Sequence, residues 1–238
     1  MDRPIIGIPI GDPAGIGPEI ALKSLNEKAI YTQCRPVLIG DTNVLKDELK
    51  QTDLHLELNP IKDTKEGLVS HGHVDVIPVN TIDMDAFEYG VVSAQCGKAS
   101  YEYIKKAVEL SDNDQIDAIA TTPINKEALK AGTVPFIGHT EMLASLSDTN
   151  DPLTMFEIEK LRVFFLSRHV SLRDAIDMVK KERVKDYIKR SVEALKRLGV
   201  EGTLAVAGLN PHSGENGLFG TEEMDEIIPA IEEMQKEG

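Results

Sequence analysis

The sequence predicts an α/β fold with a mostly parallel sheet. Short runs rich in β-branched residues alternate with longer segments of helical period along the 238-residue chain, the pattern of parallel strands joined by helices. Hydrophobic residues make up 41% of the chain and charged residues 28%, an ordinary composition for a globular protein with a sizeable core. Because the sequence has no low-complexity segment or evident repeat, a disordered chain and a fibrous protein are excluded.

Four strands and four helices are predicted in the first half of the chain. The strands are 5–10, 36–40, 74–79 and 117–122, and the helices are 18–25, 42–50, 93–110 and 125–131. Pro18 suits the first turn of its helix, and Asp41 is a typical N-terminal cap for the next one. Pro78 cannot donate a backbone hydrogen bond, so we expect its strand at an edge of the sheet. The strand over 117–122 is expected to be buried.

The second half of the chain continues the alternation. The predicted strands are 161–167, expected to be buried, and 204–209, and the predicted helices are one opened by Ser171, one over 183–198 and one from Thr221 almost to Gly238. Asp174 stands three residues after Ser171, the spacing of a capping box. The loop between Gly132 and Gly138 is the best candidate for a domain boundary. We therefore expect a first domain over 1–135 and a second over 136–238.

The balance of charge is strongly acidic. The chain has 26 Lys and Arg against 40 Asp and Glu, a formal net charge of −14, which disfavours nucleic acid and anionic membrane surfaces as partners. No apolar run approaches the roughly 20 residues of a membrane span, and the N-terminus does not resemble a signal peptide. Two cysteines without a CxxC pair indicate a reducing compartment, so we expect a cytoplasmic protein.

Ligands in α/β folds bind beyond the carboxyl ends of strands, so the loops that follow the strands are the first places to look for a site. The loop after the first strand has glycines at positions 11, 15 and 17. This is neither the GxGxxG of a dinucleotide-binding turn nor a P-loop, which needs lysine followed by serine or threonine. The pattern fits a tight strand-to-helix turn and also an anion site at a helix N-terminus.

Two further loops carry candidate contacts to an anion. Lys126 follows the strand over 117–122 and can contact a carboxylate or phosphate, although a lone lysine at a helix start is more often simply solvated. His139 and Thr140 stand together in the run Gly-His-Thr-Glu. Thr140 is either a helix cap or, together with His139, a hydrogen-bond donor to a phosphate group.

Two histidines each follow a predicted strand. His169 comes directly after the strand over 161–167, and His212 follows the strand over 204–209. Neutral imidazoles bind zinc and its first-row neighbours, so the two side chains can converge on one metal ion. The alternative for either histidine is a hydrogen-bonded structural role. His55, His71 and His73 lack such a context and are interpreted as surface residues.

Four motifs together resemble one enzyme family. They are GDPAGIGPE at 11–19, PINK at 123–126, GHTE at 138–141 and GLNPHSGE at 208–215. In this order they resemble the 4-hydroxythreonine-4-phosphate dehydrogenases of pyridoxal phosphate biosynthesis, and the resemblance extends from Ile5 to the end of the sequence. The eight-residue run at 208–215 is the most specific of the four.

The resemblance implies an activity and an architecture. The activity is oxidation of 4-phosphooxy-L-threonine with NAD, or NADP as the alternative, followed by decarboxylation to 3-amino-2-oxopropyl phosphate in vitamin B6 synthesis. The fold resembles isocitrate and isopropylmalate dehydrogenases, with two α/β domains, a cleft between them, and a homodimer that shares its active sites. A divalent metal ion is also implied, with zinc first and magnesium or cobalt as alternatives.

The resemblance also implies roles for individual residues. His139 and Thr140 match substrate contacts, and His169 and His212 match two of three metal-binding histidines. The third belongs to a Tyr-His-Asp-Gln-Gly type of motif, which this sequence lacks. We therefore expect a C-terminal truncation, with the third metal ligand, the returning strands of the first domain and most of the cofactor-binding segment beyond Gly238. No catalytic residue is assigned, although Lys126 is a weak candidate.

Other functions remain open at this point. A related dehydrogenase acting on threonate or erythronate 4-phosphate would carry the same motifs. A metal-dependent hydrolase or lyase for a phosphorylated sugar would use the same loops. The chain by itself would then also fit an inactive fragment of any of these enzymes.

Overall fold

A five-stranded parallel sheet forms the centre of the N-terminal part of the chain. The computed structural model describes residues 3–237. The strands are β1 (Ile5–Pro9), β2 (Arg35–Gly40), β3 (Glu57–Pro60), β4 (His73–Pro78) and β5 (Ala118–Ile119). Their order across the sheet is β3-β4-β2-β1-β5, and every neighbouring pair is parallel. The predicted α/β fold with a parallel sheet is therefore confirmed.

Helices connect and cover these strands. They are α1 (Gly17–Leu25), α2 (Ile30–Gln33), α3 (Thr42–Gln51), α4 (Ala94–Asp112), α5 (Lys126–Ala131) and α6 (His139–Leu146). Three of them begin at a side-chain cap: Asp41, Ser93 and Asn125 each accept a hydrogen bond from a backbone N–H in the first turn. The main core lies between the sheet and the helices, with Leu22, Leu38 and Val74 fully buried. None of the helices in residues 3–237 is long and apolar enough to cross a membrane.

Two strand predictions in this part of the chain are wrong. Strand β4 lies between β3 and β2, so it is interior; Pro78 is tolerated there because it is the last residue of the strand, paired with Gly40. The outer position belongs to β3, which the sequence analysis missed. The strand predicted over 117–122 shrinks to β5, whose two residues pair with β1 only and are exposed or half-buried.

The C-terminal part of the chain forms a second, smaller unit. It contains an antiparallel hairpin of β6 (Met155–Ile158) and β7 (Leu161–Phe164), and the helices α7 (Leu172–Asp177), α8 (Lys181–Arg197) and α9 (Ile228–Glu237). A π-helical turn over Glu223–Ile227 precedes α9. The Ser171 hydroxyl accepts from the Asp174 N–H, which is one half of the predicted capping box, and it donates to the Asp174 carboxylate.

Two strands predicted for this unit also need correction. The buried strand over 161–167 is the exposed-to-half-buried strand β7, and its partner β6 was not predicted. The segment over 204–209 is exposed and forms no strand. Its last N–H group, on Leu209, donates to a side chain, the Glu223 carboxylate, instead of to a neighbouring strand.

The chain divides into two compact units between Asn150 and Asp151, fifteen residues later than the predicted boundary after residue 135. The reason is the packing of α6, which lies just beyond the predicted boundary. Its Met142 is fully buried against Ile104 of α4 and Leu129 of α5, so the helix belongs to the N-terminal core.

Helices α4 and α5 pack so closely that Gly97 admits no side chain. A Cβ atom at this position would lie 1.9 Å from the Ala128 carbonyl oxygen, which belongs to the backbone and has little room to move. Alanine normally stabilises a helix interior by up to about 1 kcal/mol relative to glycine. The contact with Ala128 is expected to reverse the sign of that effect.

We predict that Gly97→Ala lowers the free energy of unfolding by about 1–3 kcal/mol, the usual cost of overpacking. Urea denaturation measures the change. Gly15→Ala is the control, because a Cβ there meets its nearest neighbours, atoms of Asp12, at an ordinary 3.5 Å. Equal denaturation midpoints for wild type and Gly97→Ala would contradict the packing argument.

Candidate active site

The loops that follow β1 and β5 meet in backbone contact at the carboxyl end of the sheet. The Asp12 N–H donates to the Pro123 carbonyl over 3.0 Å, and the Thr122 hydroxyl donates to the Pro9 carbonyl over 2.9 Å. Gly11 has φ +72°, and a Cβ on it would stand 2.2 Å from the Pro123 oxygen. A Cβ on Gly17 would stand 2.3 Å from the Ile10 oxygen. Two of the glycines in the first loop are therefore explained by packing, without an anion.

An open cavity of about 530 Å³ lies between these two loops. Its lining residues are Asp12, Gly15, Ile16, Pro123, Ile124, Asn125, Lys126 and Glu127. Lys126 is exposed at the first position of α5, after the Asn125 cap. Asp12 is buried and accepts one hydrogen bond, from the Ala14 N–H; burial raises the pKa of its carboxyl group above the ordinary value. The cavity therefore offers a cation and a buried acid to a ligand.

His139 and Thr140 open helix α6. The cap position is Gly138, which has no side chain to bond the first turn, so Thr140 is not the cap that one interpretation of the sequence proposed. The His139 Nε2 atom is buried and has no hydrogen-bond partner among residues 3–237. Burial lowers the pKa of His139, partly offset by a hydrogen bond with the backbone of Thr122. His139 therefore lies beside the loop that follows β5.

His169 is exposed on the segment that follows β7, with a left-handed φ of +53°. The backbone just before it is held by Arg183 of α8, whose Nε and Nη2 atoms donate to the Leu166 carbonyl over 3.1 and 2.9 Å. Because two nitrogen atoms of the guanidinium group bond the same carbonyl oxygen, both the distance and the direction of the Leu166 carbonyl relative to Arg183 are fixed.

Arg183 belongs to a cluster built around the aromatic ring of Tyr187. The guanidinium groups of Arg183 and Arg190 lie 4.6 and 5.1 Å from the ring centroid, and the Tyr187 hydroxyl donates to the Asp151 carboxylate over 2.9 Å. Partial burial alone would raise the pKa of Asp151. The hydrogen bond from Tyr187 and the charge of Arg183 outweigh burial and hold this pKa below its ordinary value.

His212 is exposed within a run of left-handed backbone. Residues 212–216 all have positive φ, although four of the five are not glycine. The Glu223 carboxylate holds the start of this run: it accepts from the N–H groups of Leu209 and Asn210 over 2.8 and 2.6 Å and from the Asn210 amide over 2.9 Å. The hydrogen bonds from Asn210 lower the pKa of Glu223.

Within residues 3–237, no group of three or more His, Cys, Asp or Glu side chains is arranged to hold a metal ion. The imidazole nitrogens of His169 and His212 are suitable donor atoms for zinc. The described residues do not supply a third ligand beside them. Sequence reasoning assigned no role to Asp12, Arg183 or Glu223. Asp12 lies inside a motif that was recognised. Leu166 lies 17 residues from Arg183, and Asn210 lies 13 residues from Glu223, so these two contacts gave no local signal.

Three of the four motifs lie within the residues that a family of known proteins matches. A family model described as pyridoxal phosphate biosynthetic protein PdxA matches residues 32–238, most of the chain. The chain belongs to the PdxA family. The resemblance that the four motifs indicated is confirmed.

Relatives in the PdxA family add detail. The chain is 59% identical over all its 238 residues to a protein of Clostridium botulinum (strain Hall) described as a candidate D-threonate 4-phosphate dehydrogenase, and it covers 71% of that protein. A protein of Fusobacterium nucleatum with the same description is 56% identical over 236 residues.

A solved structure has the same fold. The crystal structure of a 4-hydroxythreonine-4-phosphate dehydrogenase from Burkholderia phymatum matches with a TM-score of 0.91 and 40% identity, over all of this chain and 72% of that one. The chain is thus an enzyme of the dehydrogenase kind found in this family.

We predict that His139 makes stability depend on pH. Its pKa is 6.5 when unperturbed and lower in the folded protein, so the unfolded chain takes up this proton first as the pH falls. The free energy of unfolding therefore decreases as the pH falls below 6.5 toward the folded-state pKa. His139→Gln removes this part of the decrease, as measured by urea denaturation across that pH range.

His55→Gln is the matched control for this experiment. His55 is exposed, so replacing it should leave the pH dependence of the wild type in place. The assignment fails if His139→Gln and His55→Gln have the same pH dependence.

Proposed function

We propose that this protein oxidises a small hydroxy acid that carries a phosphate on carbon 4, with NAD as the hydride acceptor. D-threonate 4-phosphate is the substrate that we favour. The observation that carries this choice is the 59% identity, over the whole chain, to a relative described as acting on that compound. The second candidate is 4-phosphooxy-L-threonine, which the 40% identical structure from Burkholderia phymatum favours.

The same chemistry serves both substrates. Oxidation of the alcohol at carbon 3 releases a hydride and a proton and gives a β-keto acid. The β-keto acid loses CO₂ and takes up a proton, leaving dihydroxyacetone phosphate from threonate 4-phosphate or 3-amino-2-oxopropyl phosphate from the amino compound. The substrates differ only in the group at carbon 2, a neutral hydroxyl in one and an ammonium in the other. NADP is the alternative acceptor.

The phosphate group is proposed to bind at the start of α6. The first-turn N–H groups have no side-chain cap from Gly138, and a helix N-terminus favours an anion. The His139 Nε2 atom lacks a partner in the described part of the chain, and Thr140 is half-buried beside it. The Thr140 hydroxyl can donate one hydrogen bond to a phosphate oxygen, and the imidazole can donate another when its proton is on Nε2.

Lys126 is the candidate for contact with the substrate carboxylate. It lies on the wall of the cavity next to Pro123, and its ammonium group is the one cation among the cavity-lining residues. We assign it no proton-transfer step. Oxidation of an alcohol requires removal of the hydroxyl proton, and no group in residues 3–237 is assigned to that role.

His169 and His212 are proposed as two ligands of a divalent metal ion, with zinc first and magnesium or cobalt as alternatives. Their imidazole nitrogens suit the ion, but the described residues do not supply the further donors that a complete site needs. No step of the reaction is therefore derived through a metal.

Several broader features are proposed from the family resemblance. They are a two-domain architecture of the isocitrate dehydrogenase type, a homodimer that shares its active sites, and a cytoplasmic location. The net charge of −14 supports the proposal that nucleic acid and anionic membranes are not partners.

We predict that the full-length gene product reduces NAD with D-threonate 4-phosphate and, more slowly, with 4-phosphooxy-L-threonine. The measurement is NADH absorbance with a panel that includes both compounds, erythronate 4-phosphate and unphosphorylated threonate. Activity should require the phosphate, because the first turn of α6 supplies donors for it. A preference for the amino compound would overturn the threonate assignment, and turnover of the panel without NAD would favour a hydrolase or lyase.

Thr140→Val tests the phosphate site within the same assay. Loss of one hydrogen bond to a charged group costs about 1.5–3 kcal/mol, so KM for the phosphorylated substrate should rise roughly tenfold or more. Thr149→Val is the matched control, because Thr149 is exposed beyond the other end of α6. Equal KM values for the two variants would remove Thr140 from the phosphate site.

We predict that His169→Ala and His212→Ala each lower the zinc content of the purified full-length protein. The loss of one imidazole nitrogen weakens a site that depends on few ligands. Elemental analysis after dialysis measures the change, with His55→Ala as the control because His55 is exposed and follows no strand-end loop. Wild-type zinc content in both variants would show that neither histidine binds the metal.

A further inference from the structure

The segment that carries His212 has a backbone conformation of high energy. His212, Ser213, Glu215 and Asn216 have φ between +43° and +54°, and Gly214 between them has φ +81°. A left-handed conformation costs roughly 1–2 kcal/mol for each residue that has a Cβ atom. Interactions elsewhere in the unit must therefore hold this segment in place.

Glu223 bonds the segment before His212 and lies close to it after His212. Two residues before His212, the N–H of Asn210 donates to its carboxylate over 2.6 Å, and the side-chain amide of Asn210 donates over 2.9 Å. Two residues after His212, a Cβ on Gly214 would stand 3.0 Å from the Glu223 Oε2 atom. The carboxylate therefore fixes the backbone where it enters the left-handed run and faces Gly214 inside it.

The Glu223 side chain is itself buried and hydrogen-bonded at both oxygens. It is 2% exposed, and each of its oxygens accepts at least one hydrogen bond from Leu209 or Asn210. Four residues further on, Ile227 packs in an apolar cluster with Val179 and Val184. The carboxylate is therefore anchored to the core of the unit and is already occupied by protein donors.

We infer that Glu223 is a positioning residue, which presents His212 to the reaction by holding the Leu209–Asn216 segment in its left-handed form. The inference rests on the proposed function, since it takes His212 as part of the active site. Glu223 acts through the segment and does not touch the substrate. The lowered pKa of Glu223 agrees with this role, because the ionised carboxylate accepts the hydrogen bonds.

The test compares Glu223→Ala and Glu223→Gln with Glu226→Gln in the full-length protein. Glu226 is the matched control: it lies in the same π-helical turn and also accepts from a backbone N–H, that of Lys181, but it does not contact the His212 segment. Loss of Glu226 therefore weakens the unit without releasing the segment.

Hydrogen exchange of the segment over 208–219 is the first readout. Glu223→Ala should speed exchange at Leu209 and Asn210 at least tenfold, because both N–H groups lose their acceptor. Glu223→Gln should retain most of the protection, since one amide oxygen can accept both backbone bonds. Glu226→Gln should leave the exchange of this segment unchanged.

The second readout is the effect of each substitution on kcat and, separately, on KM. Glu223→Ala should lower kcat tenfold or more and change KM less than threefold, because the proposed phosphate contacts belong to other residues. Partial rescue in Glu223→Gln is expected if position is what matters, and that variant stays informative if Glu223→Ala does not fold.

The inference is overturned if exchange in Glu223→Ala equals that of wild type, or if Glu226→Gln reproduces both effects. It is also overturned if the segment is released while kcat is unchanged in an active enzyme. If the wild type shows no NAD-dependent activity, the proposed function fails, and the exchange data alone then decide whether Glu223 holds the segment.

Discussion

The close approach of two backbone loops at the carboxyl end of the parallel sheet constrains the whole N-terminal unit. The loop after β1 and the loop after β5 touch through the bond from Asp12 to Pro123, and Gly11 makes that approach possible. Strand β5 is two residues long and pairs with β1 at two positions. The bond from Asp12 to Pro123 continues this association beyond the ends of the two strands. It also creates the cavity between the loops and places Thr122 beside His139. The candidate site therefore depends on backbone packing before any side-chain chemistry.

In the C-terminal unit, both candidate histidines are exposed and lie on segments outside the α-helices and strands. Each segment is held by a charged side chain from a helix: Arg183 bonds the Leu166 carbonyl before His169, and Glu223 bonds the N–H groups before His212. An ionised partner makes a stronger hydrogen bond than a neutral one. The backbone of each segment is thereby fixed, while the side chains of His169 and His212 are exposed.

The sequence predicted the features that depend on neighbouring residues and missed those that depend on distant ones. The caps at Asp41 and Ser171 follow from residues within one helical turn. The interior position of β4 depends on β3, a short strand with polar residues that gives little signal. The run over 204–209 is apolar enough for a strand, but Glu223, fourteen residues after Leu209, takes the N–H group that pairing would have used. Because Leu209 and Asn210 lie 14 and 13 residues away, Glu223 could not be recognised as a site residue from the sequence. The four motifs were sufficient to identify the family.

The acidic charge of the protein limits how a phosphorylated substrate can be recognised. A net charge of −14 opposes a dianion at long range, but at physiological salt the Debye length is only about 8 Å, so the distant carboxylates are largely screened. Hydrogen bonds within the site are not screened in this way. Burial lowers the pKa of His139 and so disfavours its charged form, which makes a hydrogen bond, and not a charge, its contribution to the site. The proposed phosphate site therefore relies on geometry, with a helix N-terminus, an imidazole and a hydroxyl as its hydrogen-bonding groups.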